Sequence, residues 1–309
     1  MDTEHLPPGS IVVGVDAAQP TVWALEWAAD LAALEHRHVV LVHGTGSPLG
    51  VALPSMTQGS PDPLDLFADL QAAAHGLLAR ATTRVVSRQP GLVVHQVVRS
   101  SDARQAVLDA SADAAMIVMG SRGRGHVLSI ALGSVSEEVV GRATCPVVVI
   151  RPRHEHIEPQ GVLVGTDEGP VSLPALHFAY EQAALRGLPL TVMHTVWDEV
   201  AARRPSRVTS ADDPDLAEVR RTLVDSLAGP TARFPGVPTR LLIGYGVPAE
   251  CLLTLADSMD LVVVGHHERG LLGRLTHGST ATAILERASV PIAVVPVSDP
   301  GPRSSPDRA

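Results

Sequence analysis

Aromatic residues are scarce in this chain: three Phe, two Tyr and three Trp make up 3% of its 309 residues. The core must therefore be aliphatic and alanine-rich, and the 45% hydrophobic content supplies that material. Two cysteines, Cys145 and Cys251, make neither a disulfide framework nor a metal-ligand spacing. Cys145 stands before an apolar run and reads as a buried structural thiol rather than a reactive one. No apolar run approaches the roughly 20 residues of a membrane-spanning helix. Positive charge is also short, with 24 basic against 33 acidic residues and a net charge of −9. The basic residues are scattered, and the pairs Arg203-Arg204 and Arg220-Arg221 lie among acids, which argues against a nucleic-acid surface. The opening MDTEHLPPGS is acidic and proline-bearing, unlike a secretory leader. These absences predict a reduced cytoplasmic protein with neither a nucleic-acid nor a membrane partner.

Short β-branched runs alternate with helical patterns. Ile11 to Val15 reads as a strand ending at Asp16, followed by a helix from Thr21 to Arg37 and a strand from Val39 to Val42. Gly44 to Pro63 is rich in Gly, Pro and Ser and reads as a loop. A long helix follows from Leu64 to Arg88, then a strand from Leu92 to Val98, a helix from Ala103 to Ala112 and a strand from Ala115 to Met119. Such alternation predicts βαβ units around a parallel sheet buried on both faces.

The second half repeats the first. Ile11-Val-Val-Gly-Val-Asp16 returns as Val162-Leu-Val-Gly-Thr-Asp167, and His43 returns as His194, both at an offset of 151. Val118-Met-Gly120 returns as Val263-Val-Gly265, Leu132-Gly-Ser134 as His277-Gly-Ser279, and Ala143-Thr-Cys-Pro146 as Ala288-Ser-Val-Pro291, all at 145. An internal duplication follows. It divides the chain into a first domain over 9–152, a linker over 153–160, a second domain over 161–297 and a disordered tail over 298–309.

The stretch from Met116 to Val149 carries the chemistry. An apolar run opens into Gly120, Gly123 and Gly125, and Gly133-Ser134 then starts a helical pattern. Glycines let a backbone approach an anion closely, and the open N–H groups of a helix start attract negative charge, so this layout suits phosphate. Asp16 reads either as a ligand contact or as a turn residue, and Ser134 either as a phosphate donor or as a helix N-cap.

These residues resemble the universal stress protein family in its tandem two-domain form. The resemblance rests on a Gly, two residues, a Gly, nine residues and Gly-Ser, here Gly120, Gly123, Gly133 and Ser134, with Asp16 closing the first strand. It implies two tandem Rossmann-like (adenine nucleotide alpha hydrolase-like) α/β domains, each an open parallel five-stranded sheet with flanking helices. It further implies ATP, with or without Mg, beside the first and fourth strands. Carried over, Asp16 contacts ribose or adenine, Met119 and Gly120 line the nucleotide, and Gly123, Gly133, Ser134 and Val135 surround the phosphates. Asp167, Gly265, Gly278 and Ser279 form the weaker second site. The resemblance also implies homodimerisation through the last strand, Ile292 to Val297, although an edge strand can equally be covered within its own chain.

The two copies are unequal. Glu268 occupies the place of Gly123 in the second copy. At about 4 Å and an effective dielectric near 20, one like-charge contact costs roughly 4 kcal/mol, which predicts weak or absent binding there. In the first copy Ser101-Asp-Ala-Arg104 stands where the second has Gly246-Val-Pro-Ala249.

Other chemistries fit less well. A Walker-type GxxxxGK[ST] is absent, and the glycines at 120, 123 and 125 do not make GxGxxG. The pairs His266-His267 and His154 with His156 lack third and fourth ligands and read as surface or linker residues. Arg122 and Arg124 either neutralise phosphate or are solvated, His126 reads as a solvated loop residue, and Trp23, Trp27 and Trp197 read as packing residues. The expected function is a regulatory ATP-binding module of the stress response. A slow ATPase is the enzymatic alternative, though the sequence offers no evident general base or metal carboxylate pair, and a nucleotide-independent scaffold is the third possibility.

Overall fold

The computed structural model describes residues 6–47, 63–121, 132–151, 160–167, 169–196, 206–210, 216–267 and 280–297. The first half runs β1 (Ile11–Gly14), α1 (Gln19–Glu35), β2 (Val39–Gly44), α2 (Pro63–Arg88), β3 (Val94–Arg99), α3 (Ala103–Asp109), β4 (Met116–Gly120), α4 (Ser134–Arg142) and β5 (Val147–Ile150). The second runs β6 (Val162–Thr166), α5 (Leu173–Arg186), β7 (Leu190–Val196), β8 (Arg207–Ser210), α6 (Ala217–Arg233), β9 (Thr239–Tyr245), α7 (Pro248–Ala256), β10 (Leu261–His267), α8 (Thr280–Arg287) and β11 (Ile292–Val297). The expected elements appear within a few residues of their predicted bounds. The linker residues 152–159 and the tail 298–309 lie outside the described residues.

The strands of the described residues join one 11-stranded sheet, ordered β3-β2-β1-β4-β5-β11-β10-β6-β7-β9-β8. Each half keeps five parallel strands, and two findings go beyond the sequence expectation. The polar four-residue β8 adds an antiparallel edge beside β9. The two five-stranded sheets are also fused, because β11 pairs antiparallel with β5. The last strand, expected as a homodimer edge, is therefore interior to this chain's own sheet. Over Ile292–Val294 it is paired on both sides, by β10 and by β5, and Val295–Val297 pair with β10 alone.

The join has internal symmetry. Val148 pairs with Ala293, its own counterpart at the offset of 145, while Val147 pairs with Val294 and Val149 with Ile292. A pseudo-twofold axis thus passes through the Val148–Ala293 pair, and the contact has the isologous form of a two-fold dimer.

Aliphatic side chains alternate across the sheet and build a layer on each face. Ile11, Val13, Leu41, Val118, Val148, Val164 and Val263 face α1, α2, α5 and α6. Val12, Val40, Ile117, Val149, Leu163 and Val262 face α3, α4, α7 and α8. Burying each such side chain contributes about 1.5–3 kcal/mol. Both layers run without a break through the β5–β11 join.

Polar contacts add to that join. Gln182 donates to Glu35 Oε1 at 3.1 Å, and the Arg186 guanidinium lies 4.5 Å from the centre of the Trp27 ring. The expected packing role of Trp23 and Trp27 holds, since both sit half-buried against the core. Trp197 lies outside the described residues.

Candidate functional site

The strand order reverses between β1 and β4, because β2 and β3 lie on one side of β1 and β4 and β5 on the other. Ligands of open parallel sheets bind at the carboxyl ends of the strands at such a point. Asp16 follows β1 there, Met119 and Gly120 end β4, and Gly133, Ser134 and Val135 start α4. Six of the seven predicted first-site residues therefore belong to this one end of the sheet. Gly123 lies outside the described residues, as do Arg122, Arg124 and His126.

Asp16 is half-buried, and its Oδ1 accepts from the Ala18 N–H at 2.9 Å and from the Thr21 hydroxyl. This closes the turn into α1. Asp167 repeats the arrangement, accepting from the Gly169 N–H at 3.3 Å and from the Ser172 hydroxyl. The turn role foreseen for this aspartate is thus real in both copies. In the first copy only Oδ1 serves it, and Oδ2 makes no hydrogen bond among the described residues.

Met119 is buried, and its side chain packs beneath the sheet end, where a Cβ built on Gly14 would stand 3.6 Å from its Cε. What Met119 can offer a ligand is its backbone. Gly120 has a packing reason to be glycine: a Cβ there would stand 2.7 Å from the Pro20 carbonyl carbon at the start of α1. Close helix approach dictates this residue whether or not phosphate comes near. Gly265 differs, since its Cβ would meet Val297 Cγ2 at 3.2 Å.

Helix α4 is tied to the end of β4. The Gly133 N–H donates to Ser121 O at 2.9 Å, and the buried Ser136 hydroxyl donates to Gly120 O at 3.1 Å. Gly133, not Ser134, is the N-cap residue, and no side chain caps the helix. The cap role for Ser134 is thereby corrected. Its side chain is exposed, and its hydroxyl makes no hydrogen bond among the described residues. Val135 is half-buried against the core layer on that face. The first intrahelical donor is Glu137 N–H, to Gly133 O at 2.9 Å, so the amides of Ser134, Val135 and Ser136 have no acceptor within the helix. Three amides and the positive end of the helix dipole thus meet at the switch point.

An ionic link steadies the same helix from outside. Glu138 on α4 accepts from Arg142 at 2.9 Å and from Arg104 at 3.0 Å. These bonds, that with Arg142 first, hold its carboxyl below the usual value. Arg104 also pairs with Asp102, which caps α3 through the Arg104 and Gln105 amides. The Ser101 to Arg104 segment that departs from the second copy is therefore an ordered helix start. It packs tightly on β2, because a Cβ on Gly44 would stand 2.7 Å from Ser101 O.

Two residues contribute more than sequence reasoning assigned them. His43 Nδ1 lies 2.7 Å from Val15 O and His194 Nδ1 lies 3.1 Å from Thr166 O, so each ties the end of its second strand to the end of its first. A carbonyl can only accept, which places the proton on Nδ1. Thr21, buried at the start of α1, steers the Asp16 carboxylate. The recurrence of the histidine at the Asp16 offset was the signal for the first. The hydroxyl pair Thr21 and Ser172, at that same offset, was the signal for the second.

Of the second site, Asp167 directly follows β6 as its counterpart follows β1, Gly265 lies inside β10, which runs on to His267, and Gly278, Ser279 and Glu268 lie outside the described residues. His266, expected at the surface, is instead buried, with 8% of its area exposed on β10. The side chains of His267, His154 and His156 lie outside the described residues. Burial pushes the Cys145 thiol up to about 11, as befits a structural cysteine. Among the described residues no cluster of three metal-ligating side chains occurs, and no helix is long and apolar enough to cross a membrane.

The sequence pattern of the Universal stress protein family matches residues 9–151 and again 160–296. A universal stress protein of Mycolicibacterium smegmatis is 31% identical over 289 residues, covering 92% of this chain and 96% of its own. One from Mycobacterium tuberculosis is 33% identical over 290 residues, with the same coverage. Among solved structures, a universal stress protein from Archaeoglobus fulgidus superposes with a TM-score of 0.68 at 18% identity, covering 93% of this chain and 98% of that one. Two family matches, one on each half of a fused sheet, make this chain a tandem two-domain member of the universal stress protein family.

Proposed function

We propose that this protein is an ATP-binding regulatory module of the stress response, with the first half as its main nucleotide site. The observation that carries this reading is the start of α4, where the open amides of Ser134, Val135 and Ser136 stand beside the exposed Ser134 hydroxyl at the switch point. Asp16 Oδ2 and the backbone at Met119 and Gly120 complete the rim. The chain contains no lysine, so all 24 of its basic residues are arginine. Phosphate charge must then be met by amides, by arginine or by a divalent ion, and the α4 terminus is the amide source. Nucleotide occupancy would favour whichever conformation or assembly orders this rim.

The second half is the weaker site. Ala281 replaces Ser136, so the carbonyl of Gly265 lacks the hydroxyl that anchors its counterpart. Buried His266 replaces Ser121, and Glu268 replaces Gly123.

Calorimetric titration of the full chain with ATP tests the assignment. One tight equivalent is expected, lost in Gly123→Glu and joined by a second in Glu268→Gly. Two equal sites, or full binding by Gly123→Glu, would refute it.

A further inference from the structure

At the end of the sheet opposite the α4 terminus, His38 immediately precedes β2 and His95 is the second residue of β3. His38 Nδ1 lies 3.2 Å from His95 Nε2, with the rings nearly parallel at 22° and their centres 5.3 Å apart. Register pairs Val40 with His95, so His38, two residues before Val40, shares its side of the sheet. The backbone beneath them is fixed: Ile11 N–H donates to His38 O at 2.9 Å, and Val39 N–H to Val93 O at 3.0 Å. Neither ring makes another side-chain bond among the described residues. Nothing in the duplicated scaffold requires the pair either, since Pro189 and Arg240 occupy the equivalent places.

We propose that His38 and His95 form a bidentate site for a borderline transition-metal dication such as Zn(II), Ni(II) or Cu(II). Two nitrogens bound at about 2.0–2.1 Å to one such ion stand about 2.9–3.4 Å apart, across octahedral to tetrahedral angles. The observed separation falls inside that window. In the metal-free pair one ring donates its N–H to the other. On binding, the donor ring shifts that proton to its outer nitrogen, and a small rotation of exposed His38 against half-buried His95 turns the two lone pairs onto the ion. Water completes the coordination, which the solvent exposure of His38 permits. Mg(II) and Ca(II), which take oxygen ligands, are disfavoured.

Cu(II) titration of the full chain, followed by electron paramagnetic resonance, tests this. The first equivalent should show two coordinated imidazole nitrogens. His38→Asn and His95→Asn should each weaken it by at least about 10-fold and abolish the two-nitrogen signature, as loss of one arm of a chelate demands. His36→Asn, a neighbouring exposed histidine, should behave as the parent. Zn(II) should raise the melting temperature of the parent but not of the two variants. Unchanged affinity and coordination in both variants, or a parent that binds no Cu(II) through two imidazoles, would reduce the pair to a hydrogen bond and overturn the proposal.

Discussion

Arg151, the residue after β5, reaches from the first half into the second and donates from its buried guanidinium to the carbonyl of Leu285 in the last turns of α8. A cation near the carboxyl end of a helix meets the negative end of its dipole, and here it also bridges the β5–β11 join. Its place in the second half is taken by Pro296, so the tie has no symmetric twin. Arg151→Leu strands the Leu285 carbonyl in an apolar setting. It should cost about 2–3 kcal/mol, measured as a lowered urea midpoint.

Asp16 separates a turn from a ligand contact. Asp16→Ala should destabilise by about 1 kcal/mol through loss of the Ala18 and Thr21 bonds, and Asp167→Ala should do the same in the second half. Asp16→Asn keeps the acceptor oxygen and should leave the urea midpoint nearly unchanged. Its affinity for ATP should fall if the free carboxylate oxygen holds the nucleotide. Calorimetry on the same protein reads that second effect.

Ser136 anchors the start of α4 to the end of β4. Ser136→Ala releases the bond to Gly120 O and should weaken ATP about 3- to 10-fold, in line with the loss of one neutral hydrogen bond. Adenosine, which has no phosphate, should bind as before. Equal loss for both ligands would mean that the substitution damages the site as a whole.

His36 ends α1 in the left-handed region at φ 53°, where its counterpart at the end of α5, Gly187, has φ 63°. An L side chain is disfavoured there. His36→Gly should therefore stabilise the first half by about 0.5–1 kcal/mol, seen as a raised urea midpoint.

Several exposed or half-buried ion pairs set the acid response. Burial acts to raise the Asp30 carboxyl, but the Arg88 and Gln89 hydrogen bonds outweigh it and hold it below its ordinary value. Glu250 is lowered by Arg287, and Asp102 by the Gln105 amide and Arg104. A carboxyl lowered on folding stabilises the native state above its unfolded value, and that contribution fades as pH falls through the folded one. The melting temperature should therefore be flat near neutrality and fall below about pH 4, with a shallower fall in Asp30→Asn. High salt at neutral pH should remove part of the same contribution.

Much of the architecture was legible because the strands are short aliphatic runs and the chain carries its own second copy. The offsets alone pair Asp16 with Asp167 and Gly120 with Gly265. The fused sheet was not legible. Val147–Ile150 and Ile292–Val297 are apolar on both faces, which marks an interior strand but does not name its neighbour. Strand β8 escaped because Arg207–Ser210 is polar and gains its conformation from pairing with β9, not from its own pattern. At the site, Gly120 satisfies helix packing at a position where the motif would also require it. Of the two roles the sequence leaves open for Ser134, the cap falls away because the preceding glycine takes that place.

The Val148–Ala293 pairing has a consequence for dosage. Two separate subunits meeting through such strands would part on dilution, and their pairing would track how much protein a cell makes. Joined in one polypeptide, the halves see each other at a fixed effective concentration whatever the abundance. Neither half then has to remain able to recognise an identical copy of itself. Glu35 and Arg186, which are counterparts in the duplication, already carry opposite charges beside the join. Such freedom lets one half keep a ligand site while the other drifts toward a different use.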